Sequence, residues 1–506
     1  MKKTMTRLAA LLMALMMLLG TLVLTACAND TEEDKGSSEG NTPDTTEKDP
    51  VEEDESRIPL DYLPADTYGG TEIHVLEWSA NGQTDVGTGW IPWEEIDVDM
   101  GDGDPINNAI YDRNGVVEET YDVEITKEYI SVDGGFETTF RNNEASGDQA
   151  FQMITMRTVG IVGMCMDGMM ANMFELPNLH TDMPWWNQDS VRSYTMGDAL
   201  YFAAPEMLLR DKGATAVMYF NQKIVDDNGI EDLYAVAEAG EWTLDLMIEY
   251  AEMVSADLDG DDMVSSGEDM YGLYGGNRDI PHFLYMGAGM KFAEIDDEGY
   301  LVMDFDEDDI TVWQDILDYV MYSDFYYQGN VNKSLLPEGF KAFQGDKCLF
   351  QLNLVKDVLG LRNMQSMYGV LPVPKYDEYQ ENYASLVWMH HDCVLGIPGS
   401  CQNTDAISVV LEHMSYISYY DVYPIFYDTI ILGKSVRDEQ SKEMLKLAFA
   451  ARSFDPGQYW LADKGMGSFL TLVETNQHHV SSVWASVKTM LEKGVEDFNE
   501  KIDELR

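Results

Sequence analysis

The stretch from Asp257 to Glu268 has the spacing of a divalent-cation loop. Asp257, Asp259 and Asp261 occupy its first, third and fifth places, and Glu268 occupies its twelfth. Ca2+ takes about six to eight oxygens, and this spacing wraps carboxylates of one short loop around one ion. Met263 would add its backbone carbonyl, and Ser265 a hydroxyl or a bridging water. Asp262 stands where the pattern asks for glycine in a left-handed turn, which aspartate adopts at a cost of about 1 kcal/mol. No clear second helix follows. The loop therefore reads as a lone, structural calcium site, set against the plainer reading of an acidic helix exit.

Other constellations are thinner. His390-His391-x-Cys393 resembles a metal cluster, but adjacent histidines on a strand point to opposite faces and rarely reach one ion. There is no His-Glu-x-x-His, no Gly-x-Ser-x-Gly and no Walker loop. Paired carboxylates carry no information in a chain with 91 acidic residues. The aromatics say more. A flat indole face stacks on the apolar face of a sugar ring, while polar side chains hydrogen-bond its hydroxyls. Ligands of open α/β sheets bind beyond the carboxyl ends of strands. Loop position and chemistry nominate Trp78, Arg157, Trp185, Trp186, Glu206, Tyr285 and Trp388 as ligand contacts. Each tryptophan also has core packing as an alternative. Trp242, beside a helix cap, and the Met-rich stretch 163–173 read as structural.

The elements that must carry these residues follow from periodicity and punctuation. Lys2, Lys3 and Arg7 precede an apolar run that ends in Leu24-Thr25-Ala26-Cys27, a secretory signal (1–26) closed by a lipobox. Cys27 would receive acyl chains such as palmitate. Residues 28–57 hold twelve acidic and three basic side chains. Such a segment buries too little apolar surface to order itself and serves as a tether through residue 58. Thr71–Leu76 reads as a strand. Asp104-Pro105 opens a helix with Ile106, Ala109, Ile110, Arg113 and Val117 on one face, Arg113 pairing there with a buried carboxylate. Strands follow at 121–126 and 152–155, giving an α/β lobe with a largely parallel sheet. A second block starts near Gly213, with a strand at 215–220, a short helix stopped by Asn228-Gly229, and an amphipathic helix capped by Thr243. Further helices are expected at 311–322, 338–344, 354–364, 404–418, 438–450 and 480–504, and strands at 348–352, 368–371 and 393–397.

Bulk properties bound the function. A body of about 450 residues is too long for one core and suggests two lobes. A net charge of −59 repels nucleic-acid phosphates and anionic membranes, which excludes nucleic acid as a partner. Cys165, Cys348, Cys393 and Cys401 make no disulfide framework, and Cys393 with Cys401 forms one bridge or none.

Several segments together resemble the extracellular solute-binding lipoproteins of ABC importers, in the large sugar-binding group related to maltose-binding protein. They are Asn108–Ile125, Pro184-Trp-Trp-Asn187, Tyr219–Lys223 with Asn228-Gly229, Gly240–Asp245, the calcium-like loop followed by Tyr271-Gly-Leu, and Tyr368–Gln380. The resemblance implies a two-lobed α/β fold of the type II periplasmic-binding-protein kind, with discontinuous lobes and a ligand cleft at the hinge. The expected division is 59–210 and 393–450 for lobe 1, 211–392 for lobe 2 and 451–506 for a C-terminal helical segment. Crossovers are expected near 205–215 and 390–398. The function it implies is non-enzymatic: a lipid-anchored monomer outside the cell captures a mono- or oligosaccharide by closure and delivers it to permease subunits. A lipid-anchored glycan-active enzyme and a sensing or adhesive lipoprotein are the alternatives.

Overall fold

The computed structural model describes residues 57–79, 93–98, 103–131, 135–260, 264, 269–328, 336–432 and 439–505. The chain divides into one unit from Met1 to Arg57 and another from Ile58 to Arg506. The second carries everything that follows. The signal segment, Cys27 and the tether up to residue 56 lie outside the described residues.

Along the chain the strands are β1 (Thr71–Ser79), β2 (Val123–Ser131), β3 (Met153–Met156), β4 (Phe202–Ala203), β5 (Ala216–Asn221), β6 (Tyr271–Gly275), β7 (Ala293–Ile295), β8 (Leu301–Met303), β9 (Tyr326–Gln328), β10 (Cys348–Leu354), β11 (Tyr368–Leu371), β12 (Ser385–Leu386), β13 (Val394–Gly396) and β14 (Arg452–Ser453). One sheet has the order β2-β1-β3-β13-β4 and another β11-β5-β10-β6-β9. β1 runs parallel to β2 and β3, and β13 lies antiparallel to β3 and β4. In the second sheet β10, β6 and β9 are parallel, while β5 opposes β10 and β11. Interior strands covered on both faces read as unbroken apolar runs. β3 (Met-Ile-Thr-Met) and β5 (Ala-Val-Met-Tyr-Phe-Asn) do so and are buried throughout.

β13 completes the first sheet although it follows the whole second sheet in sequence. The fold is therefore two-lobed α/β, with a discontinuous first lobe. The crossovers fall at 204–215, between β4 and β5, and at 387–393, between β12 and β13. The two run side by side. Thr215 bridges Val387, and Trp388 N–H donates to the Ala214 carbonyl at 2.9 Å. A third crossing joins them, because β14 pairs parallel with β12, Ser385 against Arg452.

Local signals set the helix starts. Asp104 accepts from Ile106 N–H at 2.8 Å ahead of Pro105, and Thr243 accepts from Leu246 N–H at 3.4 Å. The helix Pro105–Tyr121 ends where Asp122 turns left-handed at φ 50°, so the strand expected at 121 starts at Val123. Arg113 is buried as expected, but among the described residues its partners are the carbonyls of Glu95 and Ile96 at 2.8 and 2.9 Å, with the side chains of Asn114 and Ser418, and not a carboxylate. The helix Glu439–Ala450 packs on β11 and on the helix Leu233–Glu238. Its Ser441 Oγ lies 2.6 Å from Tyr234 Oη and accepts from Val370 N–H at 3.3 Å. The return to the first lobe thus ends before residue 439. The last helix, Val480–Leu505, docks on the β7–β8 hairpin, where Asn499 exchanges two hydrogen bonds with the Leu301 backbone at 2.8 and 3.0 Å. All four cysteines of the body are free thiols. Among the described residues no helix is long and apolar enough to cross a membrane.

Candidate ligand-binding cleft

Carboxyl ends of strands from both sheets converge on the second crossover. Trp78 sits near the end of β1, and Arg157 follows β3 directly. On the other lobe Asn277 and Arg278 follow β6, and Lys356 and Asp357 follow β10. His390, His391 and Asp392 come from the crossover itself. The Arg157 guanidinium lies 4.9 Å from the centre of the Trp78 ring, and its Nη1 donates to the His390 carbonyl at 3.5 Å. Trp78 is only 3% exposed. Its indole is a platform that aims Arg157, an attraction of about 1 kcal/mol or more when desolvated. Trp388 is buried under the crossover, its ring 5.0 Å from His390 and 5.5 Å from His282. His282 in turn holds the Arg278 carbonyl through Nδ1 at 3.0 Å.

Burial and nearby cations act together on the crossover histidines. Burial holds the His390 imidazole down at about 4, and the charges of Arg278 and Arg157 push the same way. Burial, Lys356, His390 and Arg157 likewise hold the His391 imidazole well below its usual range. Asp392 is buried and takes hydrogen bonds from Thr158 N–H, at 2.9 Å, and Thr158 Oγ1. Burial nevertheless pushes its carboxyl up to about 7.

Beneath the cleft the crossings are tied by buried charge. Arg452 of β14 reaches Asp211 at 2.7 Å and Glu206 at 3.3 Å, and Lys212 reaches the same two carboxylates at 3.1 and 3.0 Å. Beside this quartet Arg210 pairs with Glu77 and with Glu95 at 3.1 Å, and donates to the Trp78 carbonyl at 2.9 Å. Buried ion pairs are stable only when every charge is matched. Here first crossover and third crossing supply opposite charges to each other.

The nominated residues divide. Trp78 and Arg157 come together at the cleft, with Trp388 packed below it. Glu206 is spent in the ion quartet. Trp185 and Trp186 are fully buried in the first lobe and donate their indole N–H groups to the two oxygens of Glu412 at 2.8 and 2.9 Å. Tyr285 is buried in an aromatic cluster with Phe292, Phe305 and Trp313, its hydroxyl on Asp309 at 2.6 Å. All four are buried and engaged by protein partners. Sequence reasoning missed Asn277, Arg278 and Lys356, and considered His390 and His391 only as metal ligands. Their one signal was position, just past apolar strand runs.

Of the metal candidates, Asp257 and Asp259 are brought together, and Asp269 joins them: one carboxylate oxygen from each lies within 4.8 Å of the others. Asp257 also accepts from Gly260 N–H at 2.6 Å, and buried Asp269 from Leu258 N–H at 2.9 Å. Asp261, Met263, Ser265 and Glu268 lie outside the described residues.

No protein-family model and no curated protein sequence matches the chain. Solved structures do. An ABC substrate-binding protein from Listeria monocytogenes, in complex with cycloalternan, covers 86% of this chain and 99% of its own at TM-score 0.53 and 12% identity. A sugar transporter from Rhizobium etli in an open conformation covers 86% and 99% at TM-score 0.55 and 10% identity. The GacH receptor of Streptomyces glaucescens, solved unliganded and with acarbose, covers 84% and 99% at TM-score 0.52 and 13% identity. The chain has the two-lobed fold of ABC sugar-binding proteins.

Proposed function

We propose that this protein is a binding protein, not an enzyme, which captures a carbohydrate outside the cell and delivers it unchanged to an ABC permease. The observation that carries the reading is the convergence of Trp78, Arg157, Arg278 and Lys356 from the strand ends of two lobes on one pair of crossovers. The fold neighbours support it, since those of Listeria and Streptomyces were solved with cycloalternan and with acarbose. Closure about the crossovers would bring the two half-sites onto the ligand, which then binds the closed state better. Cys27 would hold the protein at the membrane, raising its concentration near the permease. Calorimetric titration of the full-length protein against a broad sugar panel tests the reading. Saturable binding with the sugar recovered intact is expected. Absence of heat from every member, or cleavage of the sugar, would overturn it.

We also propose that Asp257, Asp259 and Asp269 hold a structural Ca2+. Three convergent carboxylates suit a hard cation. Chelation of calcium should lower the melting temperature, because an ion bound only by the folded state stabilises it. Asp269→Asn should abolish that difference. Equal melting temperatures with EDTA and with excess calcium would count against the site.

A further inference from the structure

We propose that the cleft recognises a sugar bearing an anionic group, a uronate carboxylate or a sulfate ester, in preference to a neutral sugar; this rests on the carbohydrate-binding reading above. The chain carries 91 acidic against 32 basic residues. Against that background, Arg157 and Arg278 act on His390, and Arg157 and Lys356 on His391, while Arg157 Nη1 donates to the His390 carbonyl at 3.5 Å. Three acidic groups stand near them, each held by a neighbour in the chain or by Thr158. Asp357 lies 3.4 Å from Lys356, Asp392 is turned to Thr158, and Asp279 follows Arg278, with Glu474 acting on it from farther away. Among the described residues no carboxylate lies within ion-pair distance of Arg278.

Unmet hydrogen-bonding capacity points the same way. Arg278 Nε, Asn277 Nδ2 and His390 Nε2 are buried and have no hydrogen-bond partner among the described residues. Asn277 is 1% exposed, and its Oδ1 is already taken by the Tyr326 hydroxyl at 2.9 Å. Folded proteins satisfy nearly all such groups, so neighbouring orphans call for a partner. A hydroxyl offers two acceptor positions and carries no charge to set against the guanidinium. A carboxylate or sulfate offers several acceptor positions and neutralises that charge. Its hydrogen bonds to guanidinium are charge-assisted and roughly twice as strong as neutral ones. The planar fork of arginine matches such anions better than it matches a lone hydroxyl.

The test titrates the full-length protein with three probes: neutral galactotriose, trigalacturonate and a sulfated chondroitin disaccharide. At least one acidic probe should bind about tenfold or more tightly than galactotriose, with the preference shrinking as salt rises. Which acidic probe wins distinguishes carboxylate from sulfate. Arg278→Gln should weaken the acidic probe about tenfold and narrow the preference. If that variant fails to fold, Lys356→Gln carries the same comparison. Galactotriose binding as tightly as both acidic probes would overturn the anionic preference and leave the carbohydrate reading standing. Silence from all three probes, with other neutral sugars binding, would do the same. Silence across every sugar would overturn both.

Discussion

Glu412 explains why a pair of tryptophans that looks like a sugar platform is not placed as one. Its two oxygens accept from Trp185 Nε1, Trp186 Nε1, Tyr62 Oη and His180 N–H. Burial pushes its carboxyl above the usual range, and those four donors oppose the shift. Glu412→Gln would set an amide N–H against donors that need an acceptor. A loss of about 2–3 kcal/mol in denaturant unfolding is expected. The sequence displayed the indoles but not their acceptor, which stands 226 positions from Trp186. Asp392 gives a prediction in pH. Its carboxyl titrates near 3.8 in the ordinary state and about 7 when buried here. The folded state therefore holds the extra proton between those values. This group's contribution is fully present below about pH 4 and is lost as pH rises toward 7, by up to about 1.4 kcal/mol per unit. Asp392→Asn should gain stability relative to the parent between pH 5 and 8, read by unfolding at both values; a constant difference would contradict the assignment.

Elements with local punctuation were the legible ones. The helix Leu244–Val254 announces itself by the Thr243 cap and its buried stripe, and Thr243→Ala should cost about 1 kcal/mol of unfolding free energy. The helix Asp279–Gly287 is not among the expected helices; its Pro281 sits in the first turn, where proline is tolerated. Arg278 stands directly before that helix, which is why half of the cleft was missed. Pairings between distant segments were invisible too. Nothing local says that β14 joins β12, or that Arg452 closes the quartet with Glu206, Asp211 and Lys212. Arg452→Met would leave two buried carboxylates facing one lysine. It should destabilise by about 3–5 kcal/mol, checked by denaturant unfolding. A change below about 1 kcal/mol would show that the third crossing is not held by charge.

At the scale of the molecule, the two-lobed α/β plan was legible from length, strand–helix alternation and family resemblance together. The boundary near 450 was not, because the helix Glu439–Ala450 returns to the second lobe through packing on β11. The proposed binding surface was half legible: the first lobe's Trp78 and Arg157 were in hand, and the second lobe's Arg278 and Lys356 were not. A crystal structure of the complex with the tightest-binding sugar of the panel tests the central claim most directly. The ligand should lie between Arg157, on its Trp78 platform, and Arg278 with Lys356. A ligand seated elsewhere, for example in the groove of about 670 Å3 beside Asp257 and Tyr319, would contradict it.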